Sequence, residues 1–187
     1  MTVSRCRLLF IALLVSIGPA ALAQERAFVQ FSTITGDSTD PGHPGWIDAY
    51  AIDNKITGPV PPAGGGAGGR ATFDVYAFLK GFDATSPVLN LAMINGTHFA
   101  TVSIEICRVG TPTQECYSRI ELSDVLVSAL TTSGSVCGAS GSCTPSITES
   151  LTLSYHKIAW IYTPYAGGTA GTPVRRCFNI DTNVSCP

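Results

Sequence analysis

The feature that most constrains the fold is an alternation of apolar and polar residues that recurs along the chain. In TVSIEICRV (101–109), Val102, Ile104 and Ile106 alternate with polar residues, which is the pattern of a strand with one buried face. The recurrence predicts a mainly β fold. Further strands are predicted at 27–35, 46–52, 72–80, 116–130 and 149–162.

Two of these strands carry additional information. In 72–80 one face is predicted to be apolar, because it carries Phe73, Val75, Ala77 and Leu79. In 149–162 the apolar alternation changes phase, from the odd positions of Leu151, Leu153 and Tyr155 to the even positions of Ile158, Trp160 and Tyr162. Such a switch predicts a β-bulge or a strand that turns a corner between two sheets.

One helix interrupts the strands. Ser86 is a suitable cap, Pro87 suits the first helical position, and Asn95–Gly96 is a stop signal. Since apolar residues recur at helical spacing, one face is expected to pack on the sheet. That face carries Val88, Leu91 and Ala92.

The first 23 residues have the pattern of a cleaved signal peptide. Arg5 and Arg7 precede LLFIALLVSIG, which is short for a bilayer span, and Ala21–Ala23 has small residues suited to cleavage. The prediction is a signal peptide at 1–23 and a single secreted or periplasmic domain at 24–187. The alternative, an N-terminal membrane anchor, is disfavoured by this length, and no later segment is apolar enough to cross a membrane.

The net charge limits the kinds of partner that the chain is expected to bind. Without its leader the chain has nine basic and 13 acidic residues, a formal net charge of −4. A mildly acidic protein without a basic stripe or a polybasic anchor is not expected to bind nucleic acid or anionic lipid.

Six cysteines follow the leader, and an even number in an exported chain predicts disulfides. Their spacings, C-x8-C, C-x5-C and C-x8-C, favour links between neighbours, although six cysteines allow 15 pairings. A zinc site is the alternative, but C-x2-C pairs and adjacent histidines are missing. The six are Cys107, Cys116, Cys137, Cys143, Cys177 and Cys186.

Catalytic and cofactor motifs are missing from the sequence. It has three histidines, but no H-E-x-x-H, G-x-S-x-G or S-x-x-K pattern. The glycine-rich stretch at 58–70 lacks the lysine of a phosphate-binding loop and is expected to be a flexible connection. We therefore predict a protein that is not an enzyme and uses no cofactor.

The segment GDSTDPGHPGWID (36–48) is the main candidate for a metal or acid–base site. Asp37, Asp40, His43 and Asp48 supply suitable side chains, but the spacing lacks the register and closing glutamate of a calcium loop. Turn formation, with polar side chains bonded to the backbone, is the favoured interpretation.

Five segments together resemble a known family, the hemolysin-coregulated proteins (Hcp). GDSTDPGHPGWIDAYAI is similar to the family pattern G-E-S-x-D-x-x-H-x-G-W-I-D, and VSIEICRVG to A-x-I-E-I-C-R-A-G. The other three follow in the family's order. They are FDATSPVLNLAMINGTHF, IELSDVLVSAL and TESLTLSYHKIAWIYTP.

The resemblance implies a two-sheet β-barrel with one flanking helix, and six subunits in a ring that stacks into the tube of a type VI secretion system. It also implies no catalytic centre, and structural roles for the residues in the shared motifs. Those residues are Gly36, Asp37, His43, Gly45, Trp46, Asp48, His98, Arg108 and Trp160.

The chain departs from this family in its leader, five cysteines besides Cys107, an extension at 165–187 and the glycine-rich stretch, which family members use in ring-to-ring contact. Loop flexibility would weaken stacking, because more conformational entropy is lost on docking. The first hypothesis is an exported ring subunit that stacks or carries an unidentified cargo. A monomeric binding module with a surface partner is the second, and a hydrolase using His43 is the third.

Overall fold

A computed structural model describes residues 24–59, 69–110, 114–136 and 146–186. The predicted leader, most of the glycine-rich stretch and the pair Cys137 and Cys143 lie outside the described residues. The leader cleavage and that cysteine pairing therefore stay predictions.

The described residues contain ten strands and one helix. The strands are β1 (Gln24–Phe31), β2 (Ile47–Thr57), β3 (Thr72–Gly81), β4 (His98–Val109), β5 (Glu115–Ser135), β6 (Ser146–Tyr162), β7 (Tyr165–Ala166), β8 (Thr169–Ala170), β9 (Val174–Asn179) and β10 (Val184–Cys186). Helix α1 spans Ser86–Ile94, between β3 and β4.

The main sheet closes on itself. Its strand order is β10-β9-β6-β3-β2-β1-β4-β5, every pairing is antiparallel, and β5 also pairs with β6. Strands β1 to β6 therefore form a barrel, with β9 and β10 added outside β6. This confirms the predicted mainly β, barrel-like fold with one helix.

The corner predicted in β6 lies at His156. Before it, β6 pairs with β3 through residues 148–153, and after it with β9 through residues 157–162. Opposite His156, Asp124 of β5 has a positive φ of 52°. The β5–β6 register continues through this point, and its irregularity lies at Ser128, between Val127 and Ala129. Both strands therefore change their inward-facing residues together.

The barrel interior is filled by large apolar side chains from all six strands. Fully buried examples are Val29, Phe31, Ile47, Phe78, Ile104, Leu122, Leu151, Leu153 and Ile158. Within the described residues, no helix is long and apolar enough to cross a membrane.

The inward face of β3 differs from the prediction. The structure buries Tyr76, Phe78 and Lys80, whereas Val75 on the predicted apolar face is 44% exposed. Lys80 can face inward because its ammonium lies 2.8 Å from the buried Glu149 carboxylate. The ion pair therefore allows the face with Lys80 to be buried, although local alternation favoured the face with Val75.

The start of the helix also differs from the prediction that Ser86 is its cap. It begins at Ser86 with Thr85 as the N-cap residue, and no side chain caps it. The Ser86 hydroxyl instead donates to Glu149 and accepts from Lys80, because this buried ion pair needs further hydrogen bonds.

The face that α1 packs on the barrel matches the prediction only at Ala92. Leu89 and Ala92 are buried, while Val88 and Leu91 are 49% and 58% exposed. The helix is apolar on both sides, so its sequence did not specify which side would be covered.

Candidate functional site

The 36–48 segment forms a closed loop that enters β2. The Gly36 amide donates to the Gly45 carbonyl at 2.6 Å, and the Ser38 amide donates to the Trp46 carbonyl at 2.9 Å. A side chain at Gly36 would overlap the Trp46 carbonyl, and Gly45 has a φ of +74°. The two glycines are therefore required by this loop.

His43 lies inside the loop and is 3% exposed. Its Nδ1 is 3.1 Å from Asp40 and its Nε2 is 2.8 Å from Glu105 of β4. The ring stacks on Phe28 at 4.0 Å and meets Trp46 edge-on at 4.9 Å. These contacts hold the ring in one orientation between two carboxylates.

Arginines neutralise the carboxylates around His43. Arg26 lies 2.7 Å from Asp40 and 2.9 Å from Asp48, and Arg119 lies 3.1 Å from Glu105. Burial alone would raise the pKa of Asp40. The hydrogen bonds from His43 and from a backbone amide, together with the nearby Arg26, outweigh burial and lower that pKa.

A disulfide lies directly against this cluster. Cys107 of β4 and Cys116 of β5 are opposite each other in register and bonded. Both sulfurs are 3.9 Å from His43 Nε2. We call His43, Glu105, Cys107 and Cys116 the histidine–cysteine cluster. One ligand atom from each lies within 4.8 Å of the other three.

A second buried polar cluster holds α1 on the barrel. Lys80 and Glu149 are both 0% exposed, and Lys80 also contacts Asp83 at 2.8 Å. Burial alone would raise the pKa of Asp83, but hydrogen bonds from Lys80 and Thr85 outweigh it and lower that pKa. The ion pair fixes the start of the helix and, with it, the surface that the helix presents.

That surface is apolar. Val88, Leu91 and Ile94 recur every third residue and are 49%, 58% and 75% exposed. We call these three residues the helix face. Phe82, just before the helix, is 60% exposed and Tyr50 of β2 is 66% exposed. Contiguous exposed apolar residues of this kind are typical of interaction surfaces.

The C-terminal extension adds a second surface. Strand β9 pairs with β6, and Cys177 and Cys186 link β9 to β10. Between this hairpin and the ends of β2 and β3 lies a groove of about 430 Å³. Its lining includes Ile56, Phe73, Trp160, Arg176 and Phe178.

Three of the motif residues lie outside the 36–48 loop. His98 is exposed and contacts Asp124 at 2.7 Å, Arg108 stacks over Tyr117, and Trp160 lines the groove. Asp37 accepts a hydrogen bond from the Ala84 amide, next to α1.

The expected role of Asp48 needs correction. Asp48 was expected to bond to local backbone groups. Its carboxylate instead accepts from the Arg26 guanidinium at 2.9 Å and the Ser38 hydroxyl at 3.4 Å. The nearby guanidinium offers a charge-assisted hydrogen bond, which is stronger than a neutral one.

Sequence reasoning missed Glu105, which contacts His43, and the arginines that contact the two carboxylates. Arg26, Glu105 and Arg119 come from three strands, and only pairing brings them together. It also missed Lys80 and Glu149. Glu149 stands in the same alternation phase as Leu151 and Leu153, and a charge at an inward-facing position was the available signal.

Together, the fold and these sites define a small β-barrel protein with two buried polar clusters and an apolar helix face. Lys80 and Glu149 form a buried ion pair and His43 lies between two carboxylates, whereas apolar side chains are exposed on the helix.

Comparison with known proteins agrees with this fold. Residues 28–162 match the family model described as type VI secretion system effector, Hcp. Protein hcp1 of Pseudomonas aeruginosa is 30% identical over 161 residues, covering 84% of this chain and 96% of that protein. The chain belongs to the Hcp family.

Other relatives are more distant. The major exported protein of P. aeruginosa is 25% identical over 138 residues, covering 73% of this chain and 79% of its own length. The solved structure of a type six secretion system protein has a TM-score of 0.77 at 23% identity, covering 87% of this chain and all of that one. Hcp1 of Salmonella typhimurium has a TM-score of 0.68 at 18% identity, covering 88% and 100%. At these identities the two structures show the fold alone.

Proposed function

We propose that this protein is an exported, non-catalytic ring subunit. Residues 1–23 direct its export and are removed, residues 24–187 form one domain, and six copies close into a ring. The rings stack or carry cargo. Family membership supports this assembly, and the name of the relative called major exported protein supports the export.

The observation that carries the proposal is the helix face. A monomer that remained alone in water would expose three large apolar side chains in a row, next to Phe82. Helix α1 is apolar on both sides, and this composition is typical of a helix that is buried on both sides. A neighbouring subunit that covers the helix face would complete this burial.

The extension limits which surfaces remain for assembly. The family match ends at Tyr162, and β9 pairs with β6 over residues 157–162. This pairing uses the hydrogen-bonding groups along that part of β6, which therefore cannot accept a strand from another subunit. Contact through the helix face does not require that edge.

The test is the native mass of the oxidised protein, measured by native mass spectrometry and by light scattering over a range of concentrations. A hexamer is expected for the native sequence, and a smaller species for Leu91→Ser combined with Ile94→Ser. Val184→Ser, which changes a 55% exposed valine of β10 in the C-terminal extension, is the matched control and should leave the hexamer intact. A stable monomer at high concentration would contradict the proposal.

The groove favours a second candidate function, a monomeric binding module. Trp160 and Phe178 give it an aromatic floor, and Arg176 adds a positive charge on an otherwise acidic protein. Its occupant would be a peptide with an apolar side chain beside a carboxylate. Binding of such peptides that is lost in Trp160→Ala and Arg176→Gln, in a protein that stays monomeric, would favour this function over the ring.

A further inference from the structure

We infer that reduction of the Cys107–Cys116 disulfide converts the histidine–cysteine cluster into a Zn²⁺ site. The four ligands would be the two thiolates, Nε2 of His43 and one carboxylate oxygen of Glu105. The inference rests on the geometry of the cluster and is independent of the ring proposal.

The ligand atoms already lie at distances suited to one metal ion. His43 Nε2 is 3.9 Å from each sulfur and 2.8 Å from a Glu105 oxygen. In a tetrahedral site with Zn–S of about 2.3 Å and Zn–N of about 2.0 Å, neighbouring ligand atoms lie roughly 3.3–3.8 Å apart. The nitrogen and the carboxylate oxygen must therefore move apart by about half an ångström. No two of the four ligand atoms are more than 4.8 Å apart, so closing around one ion needs side-chain shifts of about 1 Å at most for these two groups.

The sulfurs are the atoms that must move. A disulfide holds them about 2.05 Å apart, whereas two thiolates on one zinc ion lie roughly 3.7 Å apart. Cys107 and Cys116 are direct partners in the β4–β5 ladder. Rotation about their side-chain bonds can separate the sulfurs while the strands stay paired.

Outer contacts prepare His43 to bind metal through Nε2. The other ring nitrogen, Nδ1, faces the Asp40 carboxylate at 3.1 Å, and the Gly42 amide and Arg26 hold that carboxylate in turn. A carboxylate that orients a histidine in this way is the common outer shell of a zinc ligand. Stacking on Phe28 fixes the plane of the ring.

The charge of the filled site is also accommodated. Two thiolates and one carboxylate around Zn²⁺ leave a net charge of −1. Arg119 lies 3.1 Å from the Glu105 oxygen that does not face His43, so it can neutralise this charge without displacing a ligand.

The redox step is a thiol–disulfide exchange with a dithiol reductant. The S–S bond breaks, each cysteine sulfur gains one electron and one proton, and the reductant is oxidised to its own disulfide. When Zn²⁺ binds, the two thiol protons pass to solvent and both sulfurs coordinate as thiolates. The β4–β5 hairpin is thus tied across the same two residues in either redox state.

The experiment uses the full chain, reduced by a dithiol that is then removed, and Co²⁺ as a spectroscopic substitute for Zn²⁺. One equivalent should give the visible bands of tetrahedral cobalt and a thiolate charge-transfer band, and Zn²⁺ should abolish both. The oxidised chain should give neither band.

Cysteine variants identify the site. Cys107→Ala with Cys116→Ala should abolish the thiolate band. Cys177→Ala with Cys186→Ala is the matched control, because it removes a pair of identical spacing, and it should keep the band. The inference is overturned if the reduced native chain shows no thiolate band, or if the band survives loss of Cys107 and Cys116.

Two further measurements separate ligation from folding. Zn²⁺ should raise the melting temperature of the reduced chain and leave that of the oxidised chain unchanged. If the reduced chain is unfolded without metal, Zn²⁺ should induce a folded state whose melting can be measured. Asp40→Asn should weaken Zn²⁺ binding by about 10–100-fold, as expected for an outer-shell carboxylate. A cobalt spectrum unchanged in His43→Gln would show that the histidine is not a ligand and would overturn the proposed set.

Discussion

The two disulfides of known position have the same spacing and the same pairing, yet their surroundings differ completely. Cys107–Cys116 and Cys177–Cys186 each join directly opposite residues of an antiparallel hairpin, nine positions apart. The first lies beside Glu105 and the buried His43, where the 36–48 loop covers the sheet. The second ties a half-exposed hairpin at the end of the chain, beside an arginine-bearing groove.

The difference shows that a cysteine pattern determines a covalent link but not its chemistry. Loop length is the same in both hairpins, so the entropy removed from the unfolded chain is about the same, roughly 2–3 kcal/mol in the chain-entropy model. What distinguishes them is the residues that the tertiary fold places around the sulfurs. Each prediction below tests one part of this comparison.

The largest expected effect comes from removing His43. His43→Ala removes the hydrogen bonds to Asp40 and Glu105 and leaves a cavity beside Phe28, and truncation of a large buried aromatic side chain typically costs about 3–5 kcal/mol. Urea denaturation measures the change in unfolding free energy. His98→Ala, an exposed histidine that also contacts an aspartate, should change it by less than about 1 kcal/mol. Equal losses would mean that burial of the first cluster contributes nothing.

Removal of each disulfide should have an intermediate and unequal effect. Alanine at Cys107 and Cys116 should lower global stability by about 2–4 kcal/mol, because the strands they join are central to the barrel. Alanine at Cys177 and Cys186 should mainly increase hydrogen exchange of β9 and β10 amides, because a terminal hairpin opens locally. A global loss as large as the first would show that the extension unfolds only together with the barrel.

The smallest effect is a pH dependence confined to the terminal hairpin. His156 Nδ1 lies 2.8 Å from Asp181 in the β9–β10 turn, and this hydrogen bond, with Asp181 and Asp124 nearby, raises the pKa of His156. Asp124 is shared with His98, and Lys157 is also close to it. A raised histidine pKa adds stability below the unfolded value of about 6.5, and that stability is lost as pH rises through the folded pKa.

The Ile180 amide, which donates to the His156 carbonyl at 2.9 Å, is the reporter. Its protection from hydrogen exchange, corrected for the intrinsic rate, should fall as the pH rises above about 6.5, through the raised pKa of His156. His156→Gln should remove this dependence and leave the core amides of β4 and β5 unaffected. A dependence that persists in the variant would exclude His156 as its source.

Local pattern predicted much of the architecture. The six long strands, the single helix and the corner in β6 follow from alternation, from Pro87 and Gly96, and from the parity switch near His156. These features depend on neighbours within a few residues, which the sequence displays directly.

The site was less predictable, because its members are far apart in the chain. The absence of histidines near the cysteines disfavoured a zinc site, but His43 is 64 positions from Cys107 and meets it only when β1, β2 and β4 pair. The 36–48 loop, which requires Gly36 and Gly45, then buries the histidine.

The sequence by itself determined which segments extend, where the helix stops and which cysteines are close enough to meet across a hairpin. Tertiary structure decided which face of β3 and of α1 is buried, because Lys80 pairs with Glu149 and Leu89 packs in the barrel core. The physical reason is range. Backbone preference acts over a few residues, whereas the burial of a charge or an apolar face depends on whatever distant strand supplies its partner.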